Sequence, residues 1–145
     1  MSPPARPARR ARPGEMDAVM ALRRAVFCEE QGVPEEMEHD AEDAAALHVV
    51  ALDDGGRVIG TCRVLGDGRS VRLGRMAVAR EHRGRGLGAA LLGEAHALAA
   101  ARGAREVAIH AQTSALGFWE RAGYVAEGPE FEEAGIAHVA MRRAL

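Results

Sequence analysis

Apolar positions along this 145-residue chain follow two periods, and the switches between them mark out its elements. Behind a Pro13-Gly14-Glu15 opening, Met16, Val19, Met20, Leu22, Val26 and Phe27 recur near helical spacing, which predicts a helix that Gly32-Val33-Pro34 ends. The acidic stretch that follows has little periodicity and is read as a short helix within residues 35–46. Apolar runs then predict strands over 47–52, 57–65 and 71–79, separated by the turn sequences Asp53-Asp54-Gly55-Gly56 and Gly66-Asp67-Gly68-Arg69. The Ala/Leu-rich segment 86–102 reads as a helix that Gly103 stops. A strand over 106–111 and a helix over 114–122, capped by Thr113 or Ser114 and stopped by Gly123, come next. Two strands, 124–127 and 136–142, joined by an acidic loop, complete the pattern. At the other end, 1–5 reads as disordered and 6–12 as an edge strand. With no repeat and no internal boundary, the expectation is one α/β domain over residues 1–145, its strand-helix-strand unit at 71–111 forming a right-handed crossover in a mixed sheet.

Composition narrows the function classes. The apolar fraction of 48% suits a globular chain, and no apolar run approaches the roughly 20 residues of a membrane span. The start is rich in Pro and Arg without the apolar segment of a leader, so the expected location is the cytoplasm, with no membrane partner. Cys28 and Cys62 lack metal-ligand spacing and read as buried free thiols, so no metal site is expected. The net charge of −2 hides a segregation. Residues 69–85 hold six arginines against Glu81 alone, whereas residues 29–43 hold eight acids and no arginine. The first run would attract a polyanion, while the second is either a solvated face or an attraction for a cation. Nucleic acid is not an expected partner, because the basic run has no interleaved aromatics.

The basic run converges on the segment carrying the strongest chemical signal, Val78-Ala79-Arg80-Glu81-His82-Arg83-Gly84-Arg85-Gly86-Leu87-Gly88-Ala89-Ala90. A strand enters a glycine-rich turn that opens directly into a helix, whose first N–H groups have no intrahelical acceptor and can bind an anion. A Walker A loop is excluded because Ala89 and Ala90 stand where Lys and Ser or Thr are required, and the chain contains no lysine. A dinucleotide fingerprint through Gly84, Gly86 and Ala89 is disfavoured, since four residues separate the strand from the first glycine.

The spacing Arg83-x-x-Gly86-x-Gly88 resembles motif A of the GNAT (Gcn5-related) N-acetyltransferases. Phe118-Trp119-Glu120-Arg121-Ala122-Gly123-Tyr124 is similar to that family's F-Y-x-x-x-G-F segment, with Gln112 where its upstream Asn usually lies. Residues 24–34, with Asp40, Asp43 and His48, and the ending Gly135-Ile136-Ala137-His138-Val139-Ala140-Met141 resemble the ElaA-like branch. The resemblance implies a mixed α+β fold with a twisted sheet of about six to seven strands and about four helices. It further implies acetyl-CoA as acyl donor. Met76, Ala77 and Val78 would present backbone groups to the pantetheine where two strands part. Arg83, Gly84, Arg85, Gly86, Leu87, Gly88 and Ala89 would hold the pyrophosphate, with Gln112 and Phe118 flanking the pantetheine. It also admits a homodimer.

The chemistry expected is direct attack by an amine on the thioester, with the Val78 N–H aimed at the developing oxyanion. Trp119 stands where relatives carry the tyrosine that protonates the departing thiolate, and its indole is no acid near neutral pH. Tyr124 is the nearest phenol. Arg72 occupies the strand position at which some relatives carry a basic carboxylate, which leaves Glu30, His110, Glu132 and His138 as candidate bases. Cys28 could serve as a nucleophile, although no histidine lies near it in sequence. The acceptor is expected to be a small-molecule or peptide amine, and the acidic runs at 29–43 and 127–133 would suit a cationic one. The competing class is a non-catalytic acyl-CoA-binding module.

Overall fold

Strand-forming runs as apolar as these need cover on both faces, and a single eight-stranded sheet running through the chain receives it. The protein is described by a computed structural model over residues 8–145. Its strands are β1 (Ala8–Arg10), β2 (Leu47–Leu52), β3 (Val58–Leu65), β4 (Ser70–Val78), β5 (Glu106–Gln112), β6 (Val125–Ala126), β7 (Phe131–Glu133) and β8 (Ile136–Ala144). They lie in the order β1-β2-β3-β4-β5-β8-β6, with β7 also on β8, and β4–β5 is the only parallel pair among the described residues. The helices are α1 (Met16–Arg23), α2 (Glu35–Glu38), α3 (Leu87–Ala101) and α4 (Leu116–Arg121). As expected, α3 makes the crossover from β4 to β5. Its buried Leu91, Leu92, Ala95 and Ala99 cover one face of the sheet, over Val49, Ala51, Ile59 and Ile109. On the other face Val19 of α1 meets Val50 and Val58. Each large apolar side chain buried this way contributes about 1.5–3 kcal/mol.

Three local differences from the sequence reading matter. The expected disorder at 1–5, and the first residues of the expected edge strand, lie outside the described residues. The acidic loop is not a plain connection: β7 pairs Glu133 with Ile136 around the two-residue turn Ala134-Gly135, at φ +53° and +77°. Two consecutive left-handed residues match the twist of a tight hairpin, and this adds the eighth strand. The first helix also does not simply stop. Beyond Arg23 it widens into a π-helical segment, Arg24–Glu30, in which the Gln31 N–H reaches back to the Val26 carbonyl at 3.2 Å. Such widening re-aims side chains and is common near functional sites. None of the described helices is long and apolar enough to cross a membrane.

The acidic run has a specific structural role. Glu38 is almost fully buried and is paired with Arg23, itself 1% exposed, and with Arg75 at 3.1 Å. Asp43 pairs with Arg23 at 2.7 Å and Arg63 at 2.8 Å, and Asp40 with Arg63 at 2.7 Å and Arg75 at 3.3 Å. These three carboxylates are therefore internal counter-ions, while Glu29, Glu36 and Glu42 of the same run stay exposed. Burial pushes the Asp43 carboxyl up, but hydrogen bonds from Arg23 and Arg63 outweigh it and hold the group at about 2, against 3.8 unperturbed.

Removing one partner of a buried pair leaves an uncompensated charge, so Glu38→Ala should destabilise the fold by about 3–5 kcal/mol in urea unfolding. Because Asp43 titrates lower folded than unfolded, its contribution is present above pH 3.8 and is lost as pH falls towards about 2. Unfolding midpoints across that window should fall less steeply for Asp43→Asn than for the wild type.

Candidate functional site

The site begins where the sheet comes apart. β4 and β5 pair only from Ser70–Glu106 to Arg72–Ala108, although β4 continues to Val78 and β5 to Gln112. A bulge accompanies the parting: Thr61 faces Ala77 and Arg63 faces Gly74, which leaves Arg75 and Met76 together opposite Cys62. Arg75 sits at φ +51°, unusual for a residue with a side chain, and its guanidinium is held by Glu38 and Asp40. Beyond the bulge the ladder alternates again. The Ala79 N–H donates to the Ile59 carbonyl at 2.8 Å, so Ala77 shares the β3-bonded side while Val78 turns its N–H to the open edge. Met76 shares that side by the same alternation.

At the end of this open edge lies the glycine loop. Gly84 and Gly86 take φ of +77° and +81°, and the first helical bond of α3 runs from Ala90 N–H to the Gly86 carbonyl at 3.1 Å. The N–H groups of Leu87, Gly88 and Ala89 precede it, and no side chain caps them. A Cβ on Gly88 would stand 3.2 Å from the Phe118 ring, so glycine there lets α3 and α4 meet at the helix start. Arg83 donates to the Val78 carbonyl at 3.0 Å and pairs with Glu30 at 2.8 Å, while Arg85 is exposed. Glu30, a candidate base, is thus the counter-ion of Arg83 beside the anion socket and lies outside the cleft.

Between the parted strands runs a cleft of about 650 Å³, walled by Phe27 of the π segment and Gln31 just beyond it, by Gly74–Met76, and by His110 and Gln112 of β5. Gln112 donates to Gln31 at 2.9 Å across it. Phe118 and Trp119 line it too, their rings edge-on with centroids 5.0 Å apart.

Two of the histidine candidates come together here. His138, 7% exposed, lies opposite Gln112 in register, and its Nδ1 is 2.7 Å from the Ile136 carbonyl oxygen. A carbonyl only accepts, so Nδ1 carries the proton and the neutral ring presents the Nε2 lone pair. His110 donates from Nδ1 to Glu133 at 3.1 Å, and the other oxygen of Glu133 is 3.7 Å from His138 Nε2. Phe131 sets both rings, edge-on to His110 and stacked on His138. The sequence reading picked Glu132, but side chains alternate along β7, so Phe131 and Glu133 face the histidines and Glu132 faces away. Placing the hairpin from Ala134-Gly135 would have selected Glu133.

Tyr124 is also corrected. It is 2% exposed, edge-on to Trp119, its oxygen lies 2.6 Å from His96 Nε2, and neither Tyr124 nor His96 lines the cleft. Arg143 donates to His96 Nδ1 at 3.2 Å, so the neutral ring carries its proton on Nε2 and donates to the phenol. Burial pushes the phenol well above its ordinary value, which makes Tyr124 a core residue and no proton donor to the thioester. The thiols differ too: Cys62 is buried and pushed up to about 12 by burial, whereas Cys28 is only half-buried. Burial, together with nearby Glu38 and Glu35, also raises Cys28, the opposite of what a nucleophilic thiol needs.

Residues 11–145 match the family model of the acetyltransferase (GNAT) domain. A Bacillus subtilis protein named as an N-acetyltransferase is 36% identical over 124 residues, covering 84% of this chain and 87% of its own. A solved Lactobacillus plantarum protein described as an N-acetyltransferase superposes with a TM-score of 0.87 at 30% identity, over 96% of this chain and 99% of its own. Escherichia coli ElaA shares the fold at a TM-score of 0.82 and 23% identity, over 94% of this chain and 97% of its own.

The His96 site has a measurable signature. Burial, and then the Arg143 charge, hold His96 down at about 4, against 6.5 unperturbed, so between these values the unfolded chain binds more protons than the folded one. Its contribution is complete above pH 6.5 and disappears as pH falls through about 4. Unfolding free energies measured from pH 4 to 7 should rise in the wild type and flatten in His96→Gln.

Proposed function

The chain belongs to the GNAT family of acetyltransferases, and we propose that it moves an acetyl group from acetyl-CoA to a small-molecule or peptide amine by direct attack in a ternary complex. The observation that carries this reading is the continuity of the unpaired β4 edge with the uncapped start of α3. One linear cofactor with an amide-bearing arm and a diphosphate matches both. In this reading the arm lies along Met76 and Val78 as an added strand, with Gln112 and Phe118 beside it. The diphosphate accepts from Leu87, Gly88 and Ala89, with Arg85 adding charge and Arg83 turning from Glu30 towards it.

The thioester carbonyl then lies at the Val78 N–H, which stabilises the oxyanion of the tetrahedral intermediate. The amine adds to the carbonyl carbon and loses its proton to His138 Nε2. The imidazolium so formed has Glu133 beside it, and His110 holds that carboxylate in place. Collapse breaks the C–S bond, and the thiolate leaves to take a proton from solvent, since neither Trp119 nor Tyr124 supplies one.

Thiol release from acetyl-CoA with an amine panel tests the scheme. Replacing both Arg83 and Arg85 by Ala should raise the acetyl-CoA KM about tenfold or more, with a smaller change in kcat, because two charge-assisted contacts to phosphate are lost. His138→Gln should lower kcat by about a hundredfold or more and abolish the acidic limb of the pH–rate profile, with acetyl-CoA binding unchanged. Tight acetyl-CoA binding without amine-dependent thiol release on any amine would instead identify a non-catalytic binding module.

A further inference from the structure

The cleft continues past the histidines to a floor that the scheme above leaves unused. Along β5 the residues facing the cleft are Ala108, His110 and Gln112, and the register carries this face across the sheet. Ala108 pairs with Arg72 on β4 and with Arg142 on β8, so two arginines flank one small residue in a single cross-strand row. At a strand spacing of about 4.8 Å their backbones are about 10 Å apart, leaving room for a ligand group over Ala108. Gln112 is four residues further along β5, so the row lies about 13 Å from the Gln112–His138 row.

Most of the other charges of the cleft are matched. Glu38 and Asp40 are held by Arg23, Arg63 and Arg75, and Arg142 by Glu106 at 2.7 Å and Glu127 at 3.2 Å, whereas Glu133 meets only the two imidazoles. Among the described residues, Arg72 is the one cleft-lining arginine with no ion-pair partner, and it is exposed. The cleft-lining carboxylates without a cationic partner are Glu42, in the turn 41–44, and Glu133 of β7, and neither is part of the row.

We propose that the Arg72–Ala108–Arg142 row is the acceptor's anion subsite: the acceptor is an amine that also carries a carboxylate or phosphate about 10 Å from the reacting nitrogen. Arg72 grips the anion directly, and Arg142, already neutralised by Glu106 and Glu127, borders it. An arginine side chain stands on the sheet and leans along its strand, so the separation falls a few Å short of the roughly 13 Å between rows. This inference rests on the acetyl-transfer reading and adds to it the sign and position of the acceptor's second charge.

The test is kcat/KM on three series of matched length: ω-amino carboxylates with their methyl esters, aminoalkyl phosphates, and diamines. For the wild type, an anionic amine should exceed its neutral counterpart about tenfold, with an optimum at intermediate length. The better of the carboxylate and phosphate series identifies the group. Arg72→Ala should erase the preference, Arg72→Lys should restore part of it, and acetyl-CoA KM and turnover of neutral amines should stay unchanged, which shows that the variants are folded. Equal rates for charged and neutral amines, or a preference for diamines centred on Glu42, overturn the inference and leave the acetyltransferase reading standing. Absence of amine-dependent thiol release with every series overturns both.

Discussion

The separation of β4 from β5 after Arg72 and Ala108 is the constraint on which the rest of this protein depends. Two parallel strands gain a hydrogen bond with each further residue, so parting them leaves backbone groups that need other partners. The bulge at Arg75 and Met76 turns β4 aside, and Glu38, buried between Arg23 and Arg75, holds the bulge. Burying such ions carries a desolvation cost of several kcal/mol each, and a hydrophobic replacement of similar shape is often as stable. What the ionic network provides here is position. It ties α1, α2, β3 and β4 to one another through a few directional contacts, and so keeps the cleft open without a side chain filling it.

The same network explains what was legible in the sequence and what was not. Elements whose signal is local came through: the strands other than β7, the turn glycines, α3 and the loop that opens it. In that loop the sequence order is itself the geometry, because consecutive N–H groups point the same way at a helix start. Long-range pairings left no such trace. Nothing in the spacing of Glu38, Asp40 and Asp43 shows that arginines at 23, 63 and 75 meet them, so the eight acids of residues 29–43 read as a solvated face or an attraction for a cation. The widening beyond Arg23 was equally silent, since the apolar spacing up to Phe27 suits either helix type. Its effect is to bring Phe27 and Gln31 over the cleft.

A one-residue error shows how sharply strand geometry decides chemistry. Glu132 and Glu133 are indistinguishable by composition, and both lie in a loop-like acidic stretch. Once Ala134-Gly135 forms a two-residue turn, the register is fixed, and only one of the two can share a face with His138. Tyr124 taught a similar lesson about burial. Its place in a motif says nothing of where its hydroxyl points, and Arg143, by fixing the His96 tautomer, commits that oxygen to a core contact.

Charge in a folded chain is counted by contact and not by run length. Along the sequence the acidic segment reads as either a solvated face or an attraction for a cation, and in three dimensions Glu38, Asp40 and Asp43 are matched by arginines from three other elements. What remains in the cleft without an oppositely charged partner is the Arg72 guanidinium and the carboxylates of Glu42 and Glu133, and of these only the guanidinium lies on the Arg72–Ala108–Arg142 row. Arg72 occupies the strand position where a base was sought. In the proposed scheme the proton acceptor comes from His138 and Glu133 on β8 and β7, which leaves that position to recognise substrate.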